Sequence, residues 1–433
     1  MQIALGEQLA NYKEQVFPII QVLAARGATA YIVGGCVRDL LLGLPLKDLD
    51  IEVHGIALSD LHEVLNQFGH VEEVGKKFGV LLLLGLAVDW SLPRRDSSGR
   101  KPQVEIDPQL DIKHALIRRD LTMNAMAINL TEVVIEGKKG EIIDPFGGLE
   151  DIAAKQLRAV DDAFFVQDPL RLLRVMQFIA RFEMQPTAAL SELCRRMSLY
   201  DEYDDRLLAR ERIQGEVAKL LLQSSAPSHG FSWICSIGRE AELFPFIASQ
   251  DDKEIALALV DSTAERTCAL STTLRLELML AALCWPYWSR TGGPLRRALA
   301  ACTGSYEIID KVPKLLAALK SLTSVSDNRA GIVLCKKAAA QLGKGLSVEA
   351  VAILAWSFYE PQVSAVENTL LYQLAQKAGV LHGPEDAAVL GRDLLNYVQP
   401  GPEMGRLIGA AYEIQLEEGI RDKEALLQRI LKK

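Results

Sequence analysis

Apolar residues recur with a helical period at the start of the chain. Leu9, Val16, Ile19, Ile20 and Leu23 fall near one face of a segment spanning residues 7 to 26, which predicts a helix ended by Gly27. The period then shortens: Tyr31-Ile32-Val33 reads as a strand, and Gly34-Gly35 turns it into a helical pattern from Val37 to Leu42, stopped by Gly43. After a turn at Pro45, Lys47 to Val53 reads as a second strand. Ser59 to Phe68 predicts a helix with Ser59 as N-cap and Gly69 as stop. The longest apolar run begins at Val80, and residues 80 to 90 read as one buried strand with Asp89 near its end. From about residue 217 onward the pattern is helical, with polar breaks at 224–228, 292–294, 321–328 and 401–402.

Composition narrows the class without choosing a function. A chain of 433 residues, 49% hydrophobic and 24% charged, has room for two to four domains and a sizeable core. No apolar run is long enough to cross a bilayer, and no charged segment leads into an apolar one at the N-terminus, so neither a membrane partner nor a signal peptide is expected. Seven scattered cysteines without a C-x-x-C pair read as reduced thiols in a cytoplasm. A net charge of −8 argues against a protein coated in nucleic acid, yet it permits a local basic groove.

The chemistry concentrates between Tyr31 and Val53. A strand that turns on Gly34 and Gly35 into a helix presents backbone N–H groups beside a positive helix end, which suits a triphosphate. Arg38, early in that helix, adds a charge-assisted donor. Asp48 and Asp50, two apart on a strand, project from one face. Two such carboxylates repel each other unless a divalent cation lies between them, and hard oxygen ligands suit Mg²⁺.

Gly-Gly followed by Asp-x-Asp resembles the first signature of the polymerase-β-like nucleotidyltransferases. More closely, the stretch is similar to the class II tRNA nucleotidyltransferases, or CCA-adding enzymes, and to the bacterial poly(A) polymerases. The resemblance implies an α+β fold: a nucleotidyltransferase head with a small mixed sheet over residues 1–150, a helical neck with a nucleotide-selecting helix over 151–220, a helical body over 221–340 and a tRNA-binding helical tail over 341–433. It also implies a third carboxylate closing a strand before a Leu-Pro-Arg segment. Here that segment is Leu92-Pro93-Arg94-Arg95 and the acid is Asp89, where the family usually carries Glu; Glu105 is the competing candidate.

Further signatures follow in the family's order. Residues 91–102 form a polar, mostly basic loop, expected to be flexible; in the family a loop at this place helps switch the site from C to A addition. Arg118-Arg119-Asp120-Leu121-Thr122-Met123-Asn124-Ala125 resembles the second signature. Arg119 can clamp a phosphate or ribose, while Asp120 and Asn124, read as four apart on a helix, can bind a sugar hydroxyl or brace that arginine. Asp144, before Pro145-Phe146-Gly147-Gly148, reads as a turn residue. Leu207 to Glu216, with Arg210-Glu211-Arg212, resembles a last signature that braces the neck.

Gln167-Asp168-Pro169-Leu170-Arg171 resembles the templating signature Glu-Asp-x-x-Arg, with Gln in place of the first Glu. Asp168 starts a helix and Arg171 stands one turn on. A carboxylate accepts from an exocyclic amino group and a guanidinium donates to a ring nitrogen. Cytosine and adenine both offer donor then acceptor, whereas uracil and guanine reverse that order. One Asp–Arg pair therefore admits C and A and rejects U and G, at roughly 1–3 kcal/mol per bidentate contact. Arg174 resembles a second nucleotide-binding arginine.

The resemblance thus implies transfer of C and A from CTP and ATP to the tRNA 3′ acceptor end, with Mg²⁺ held by Asp48, Asp50 and Asp89. Gly34, Gly35, Arg38, Arg119, Asp120, Asn124, Asp168, Arg171 and Arg174 would bind the nucleotide. No obligate protein partner is inferred. A specialised A-adding or CC-adding enzyme, a poly(A) polymerase and an inactive RNA-binding scaffold are the alternatives. No His-Asp dipeptide occurs, and Trp285-Pro286 stand where a phosphohydrolase pair would align, so no such second activity is expected.

Overall fold

The computed structural model describes the chain except residues 4, 6–8, 47, 75–78, 97–103, 201–206, 293, 324, 344 and 432–433. It divides into two compact units, Met1–Leu208 and Ala209–Lys433.

The first unit opens with β1 (Gln2–Ile3), α1 (Ala10–Ala25), β2 (Thr29–Val33), α2 (Gly35–Leu41) and β3 (Leu49–His54). It continues with α3 (Leu58–Asn66), β4 (Val71–Val74), β5 (Val80–Leu83), β6 (Val88–Ser91), β7 (Arg94–Asp96), β8 (Val104–Ile106) and α4 (Ile112–Leu116). A 3₁₀ turn at Thr122–Asn124 leads to β9 (Ala127–Asn129), α5 (Leu130–Ile135), β10 (Gly140–Ile143) and α6 (Gly148–Ala153). β11 (Gln156–Leu157), α7 (Asp162–Phe165), α8 (Leu170–Phe182), β12 (Gln185–Pro186) and α9 (Ala188–Arg196) complete it.

Eight strands form one mixed sheet in the order β1-β10-β9-β2-β3-β6-β5-β4. Among the described residues of this sheet, only the β3–β6 pair is parallel. Alternation along β3 explains its place at the centre. Leu49, Ile51 and Val53 are fully buried in the main core, with Ile19, Ile20 and Leu23 of α1 and Leu61, Val64 and Leu65 of α3. Side chains two apart share a strand face, so Asp50, Glu52 and His54 project from the other side.

Several local expectations are corrected. Residues 80 to 90 are not one strand: β5 and β6 pair antiparallel as a hairpin, turning at Gly85 with φ +86°, a left-handed conformation that an apolar run does not advertise. The helix after β3 starts at Leu58 with Ala57 as its cap residue, so Ser59 lies inside it and is not the N-cap. Arg94–Asp96 of the anticipated loop is a strand, paired with Val104–Ile106, while residues 97–102 lie outside the described residues. Lys47, expected to start the second strand, is also outside them. Asp120 and Asn124 do not share a helix: Asp120 precedes the extended Leu121, and Asn124 ends the 3₁₀ turn Thr122–Asn124.

The second unit is helical among its described residues. It begins with α10 (Arg210–Gln223) and includes the long helices Gln250–Arg266, Thr272–Thr291, Tyr306–Leu322, Val348–Tyr359 and Pro402–Glu418. Within it, Gln214 of α10 accepts a 2.6 Å bond from the Thr303 hydroxyl. No helix among the described residues is long and apolar enough to cross a membrane. All seven cysteines are free thiols.

Candidate active site

The site is built on the parallel pair β3–β6. Asp50 and Asp89 are register partners there, so their side chains leave the sheet on the same face. Asp48 lies two residues before Asp50, exposed, just ahead of the strand. The Cys36 thiol fixes this approach: it donates to the Asp48 carbonyl at 3.3 Å and accepts from the Asp50 backbone N–H at 3.2 Å. Burial, with the nearby Asp50 carboxylate, pushes that thiol up to about 12.

Neighbouring carboxylates act on both Asp50 and Asp89. Burial raises Asp50 above the usual carboxylate range; Arg119 pulls it down, and Asp89 and Asp48 push it up again. Burial and Asp48 likewise raise Asp89. Such mutual repulsion is what a hard divalent cation relieves, and the donors are carboxylate oxygens only, so the set fits one. Among the described residues no three His, Cys, Asp or Glu side chains stand close enough together to hold an ion as placed. Glu105 is elsewhere, exposed on β8 and opposite Arg95 of β7. Asp89, not Glu105, is therefore the acid beside Asp50.

Two guanidinium groups flank the glycine turn. Gly34 adopts φ +72° and caps α2. A Cβ at Gly34 would lie 2.2 Å from a terminal nitrogen of Arg119, and one at Gly35 would lie 3.3 Å from a terminal nitrogen of Arg38. The absence of a side chain at Gly34 leaves the space that Arg119 occupies, while at Gly35 a Cβ would be a tight contact with Arg38. The Nε of Arg119 is buried with no hydrogen-bond partner, an unsatisfied donor at a turn suited to phosphate.

Arg38 is 6% exposed and its three nitrogens are engaged. Its Nε and one terminal nitrogen hold Asp39 at 2.9 and 2.7 Å, and the other terminal nitrogen donates to Asn124 Oδ1 at 2.6 Å. Asn124 Nδ2 donates to Asp120 Oδ1 at 3.0 Å, and Arg174 Nε donates to Asp120 Oδ2 at 2.5 Å. Residues from the first, second and templating signatures thus form one polar chain. Asp120 is held down to about 2: burial opposes this, but Arg174, Asn124 and the Leu121 N–H outweigh it. Asp120 and Asn124 therefore brace Arg174 and Arg38.

At the start of α8, Asp168 is half-buried and its Oδ1 accepts from the Leu170 N–H at 3.1 Å. The two terminal nitrogens of Arg171 donate to the carbonyls of Phe164, at 2.7 Å, and Arg118, at 2.6 Å. These bonds hold both terminal nitrogens of Arg171 against backbone carbonyls. Asp144 behaves as the expected turn residue, accepting from the Gly148 and Leu149 N–H groups at 2.7 and 2.9 Å.

Sequence reasoning missed Glu52, which is 1% exposed on β3. Its carboxylate meets His54 Nε2 at 3.1 Å and Arg118 at 3.5 Å, while His54 Nδ1 contacts the Leu110 carbonyl at 2.8 Å. Burial pushes Glu52 up, but the His54 bond with Arg119 and Arg118 holds it below the usual carboxylate range. It anchors the Arg-Arg pair of the second signature. The signal was present: acids at 48, 50 and 52, and His54, alternate with apolar residues on a single strand.

Comparison with known proteins follows the same residues. Residues 30–158 match the poly A polymerase head domain. A multifunctional CCA protein of Ralstonia nicotianae is 37% identical over 228 residues, covering 51% of this chain and 50% of its own. One of Haemophilus ducreyi is 38% identical over 224 residues, covering 50% of each. The chain thus spans about half the length of the curated relatives it matches. The likeness of fold runs further. The Bacillus stearothermophilus CCA-adding enzyme in complex with CTP superposes with a TM-score of 0.68 at 22% identity, over 96% of this chain and 97% of its own. The Thermotoga maritima CCA-adding enzyme complexed with tRNA superposes with a TM-score of 0.61 at 21% identity, over 100% and 99%.

Proposed function

We propose that this chain, a member of the poly A polymerase head-domain family through residues 30–158, is a tRNA nucleotidyltransferase that adds C and A from CTP and ATP to the tRNA 3′ end. Arg119 carries the reading. The same guanidinium overlies Gly34 and acts on Asp50, so a phosphate held at the glycine turn lies beside the carboxylates.

The residues divide the work. Arg119 and Arg38, at the turn, bind the triphosphate and set its position. Asp168 and Arg171 read the edge of the incoming base, and Arg174 binds the nucleotide from the same helix. The bracing by Asp120 and Asn124 keeps Arg174 and Arg38 in place, so little reorganisation of those two is needed as charge develops on the phosphate. The attacking group is the tRNA 3′-hydroxyl, in line with the departing pyrophosphate. Asp48, Asp50 and Asp89 would hold Mg²⁺, which when bound neutralises triphosphate charge and makes the hydroxyl more acidic.

Body and tail helices hold the tRNA acceptor arm, within the division into head, neck, body and tail, and the protein works in the cytoplasm. Support for the RNA partner comes from the Thermotoga maritima likeness, and for CTP from the Bacillus stearothermophilus one.

The test uses purified protein, Mg²⁺, labelled CTP or ATP, and tRNA ending at the discriminator base, C or CC. Stepwise completion to CCA, ending after three nucleotides, is expected. Labelling of tRNA-CC by ATP with no use of CTP would assign A addition alone, and long A tails on arbitrary RNA would assign a poly(A) polymerase.

A further inference from the structure

We propose that the stacked rings of Phe178 and Phe182 form a positioning platform for the nucleotide-binding arginines, and so set nucleotide affinity. This rests on the nucleotidyl-transfer reading above. The two residues are one turn apart on α8, with ring centroids 5.6 Å apart and planes 26° from parallel. The Arg38 guanidinium carbon lies 4.6 Å from the Phe182 centroid and 5.4 Å from that of Phe178. The corresponding distance from Arg174 to Phe178 is 5.3 Å, and from Arg181 to Phe182 it is 5.0 Å.

An aromatic face is electronegative and attracts a guanidinium laid over it, the more so where water is excluded. Asp39 and Asn124 hold the edge of Arg38 through hydrogen bonds, and its face is left to the two rings. The rings fix the plane. They also join two elements: Arg38 belongs to α2, beside the glycine turn, and the rings belong to α8, which begins just after Asp168 and carries Arg171 and Arg174. The phosphate end and the base end of a bound nucleotide are therefore referred to one rigid surface. A purely structural role would need only bulk. Leucine would supply most of that bulk and none of the ring's charge distribution.

The experiment uses the full chain and its Phe182→Leu and Phe182→Tyr variants. Dissociation constants for ATP and CTP are measured with Mg²⁺ and no RNA, alongside KM and kcat on tRNA-CC and the melting temperature. Phe182→Leu is expected to raise the dissociation constants and KM for both nucleotides about three- to tenfold, the range of a partly desolvated cation–π contact, with kcat changed less than about twofold. Phe182→Tyr, which keeps the ring face, is expected to restore affinity. Wild-type affinity in Phe182→Leu, or a loss in Phe182→Tyr as large as that in Phe182→Leu, overturns the platform. A wild-type protein that bound neither nucleotide would overturn the transfer reading instead. The platform is then decided by the stability cycle of Phe182→Leu with Arg38→Met: coupled losses support it, and additive losses overturn it.

Discussion

Asp50 and Asp89 are register partners on the parallel strand pair β3–β6, and each is raised above the usual carboxylate range, with Asp48 contributing to both. Their proximity is unfavourable, and a cation held between them, as proposed, would relieve it. Mg²⁺ is therefore expected to raise the melting temperature of the wild-type protein in a concentration-dependent way. In Asp50→Asn the Mg²⁺-dependent rise should disappear, while the melting temperature without metal stays level or increases. Thermal unfolding across a Mg²⁺ series measures both, and an equal Mg²⁺ response in the variant would remove Asp50 from the metal site.

Asp120 gives a pH dependence. Its pKa in the folded chain, about 2, is depressed from an ordinary value of 3.8, so its contribution is complete above the unfolded value and is lost as pH falls through the folded one. The difference corresponds to about 2 kcal/mol. Asp120→Asn should cost about that much in chemical denaturation at pH 7, and the gap to wild type should narrow from pH 4 downward. A gap that stayed constant between pH 7 and pH 3 would mean that the bond to Arg174 stabilises nothing.

Gly34 and Arg119 are linked by space. With φ +72° and Arg119 lying where a side chain would go, Gly34→Ala is strained and displaces the cation. Gly34→Ala and Arg119→Ala should both raise KM for ATP and CTP, by about tenfold or more if one charge-assisted hydrogen bond of 1.5–3 kcal/mol is removed. Steady-state kinetics against each nucleotide checks this. An Arg119→Ala variant with unchanged KM would separate the glycine turn from the triphosphate.

The base-reading role proposed for Asp168 and Arg171 is tested by competition. Asp168→Ala and Arg171→Ala should each lower the preference for CTP and ATP over UTP and GTP, by roughly 1–3 kcal/mol for each bidentate interaction with the base. Misincorporation in mixtures of four nucleotides reads the ratio. Active variants that still rejected UTP and GTP would assign base selection elsewhere.

Short-range geometry was legible in part. Gly34-Gly35 and Asp168-Pro169 each mark a helix start, and the order of signatures implied the head that the sheet displays, whereas Asp48, expected on one strand with Asp50, lies just ahead of it. Two kinds of feature were hidden. Gly85 turns an unbroken apolar run into a hairpin, because the apolar residues on either side of it leave no polar break to mark the turn. Pairings between distant residues were the other kind. That Asp120 would pair with Arg174, 54 positions away, or that Phe178 would lie under Arg38, depends on how α8 packs beside α2. Glu52 was passed over because an acid on a strand reads as a solvated face, whereas here it is buried against His54 and Arg118.

The most direct test is single-turnover transfer from labelled ATP to tRNA-CC by wild-type protein, Asp50→Asn and Asp89→Asn, each confirmed folded. Loss of several kcal/mol of charge stabilisation predicts a rate lower by roughly a thousandfold or more in both variants. Transfer at the wild-type rate by either variant would contradict a transfer site built on this carboxylate set.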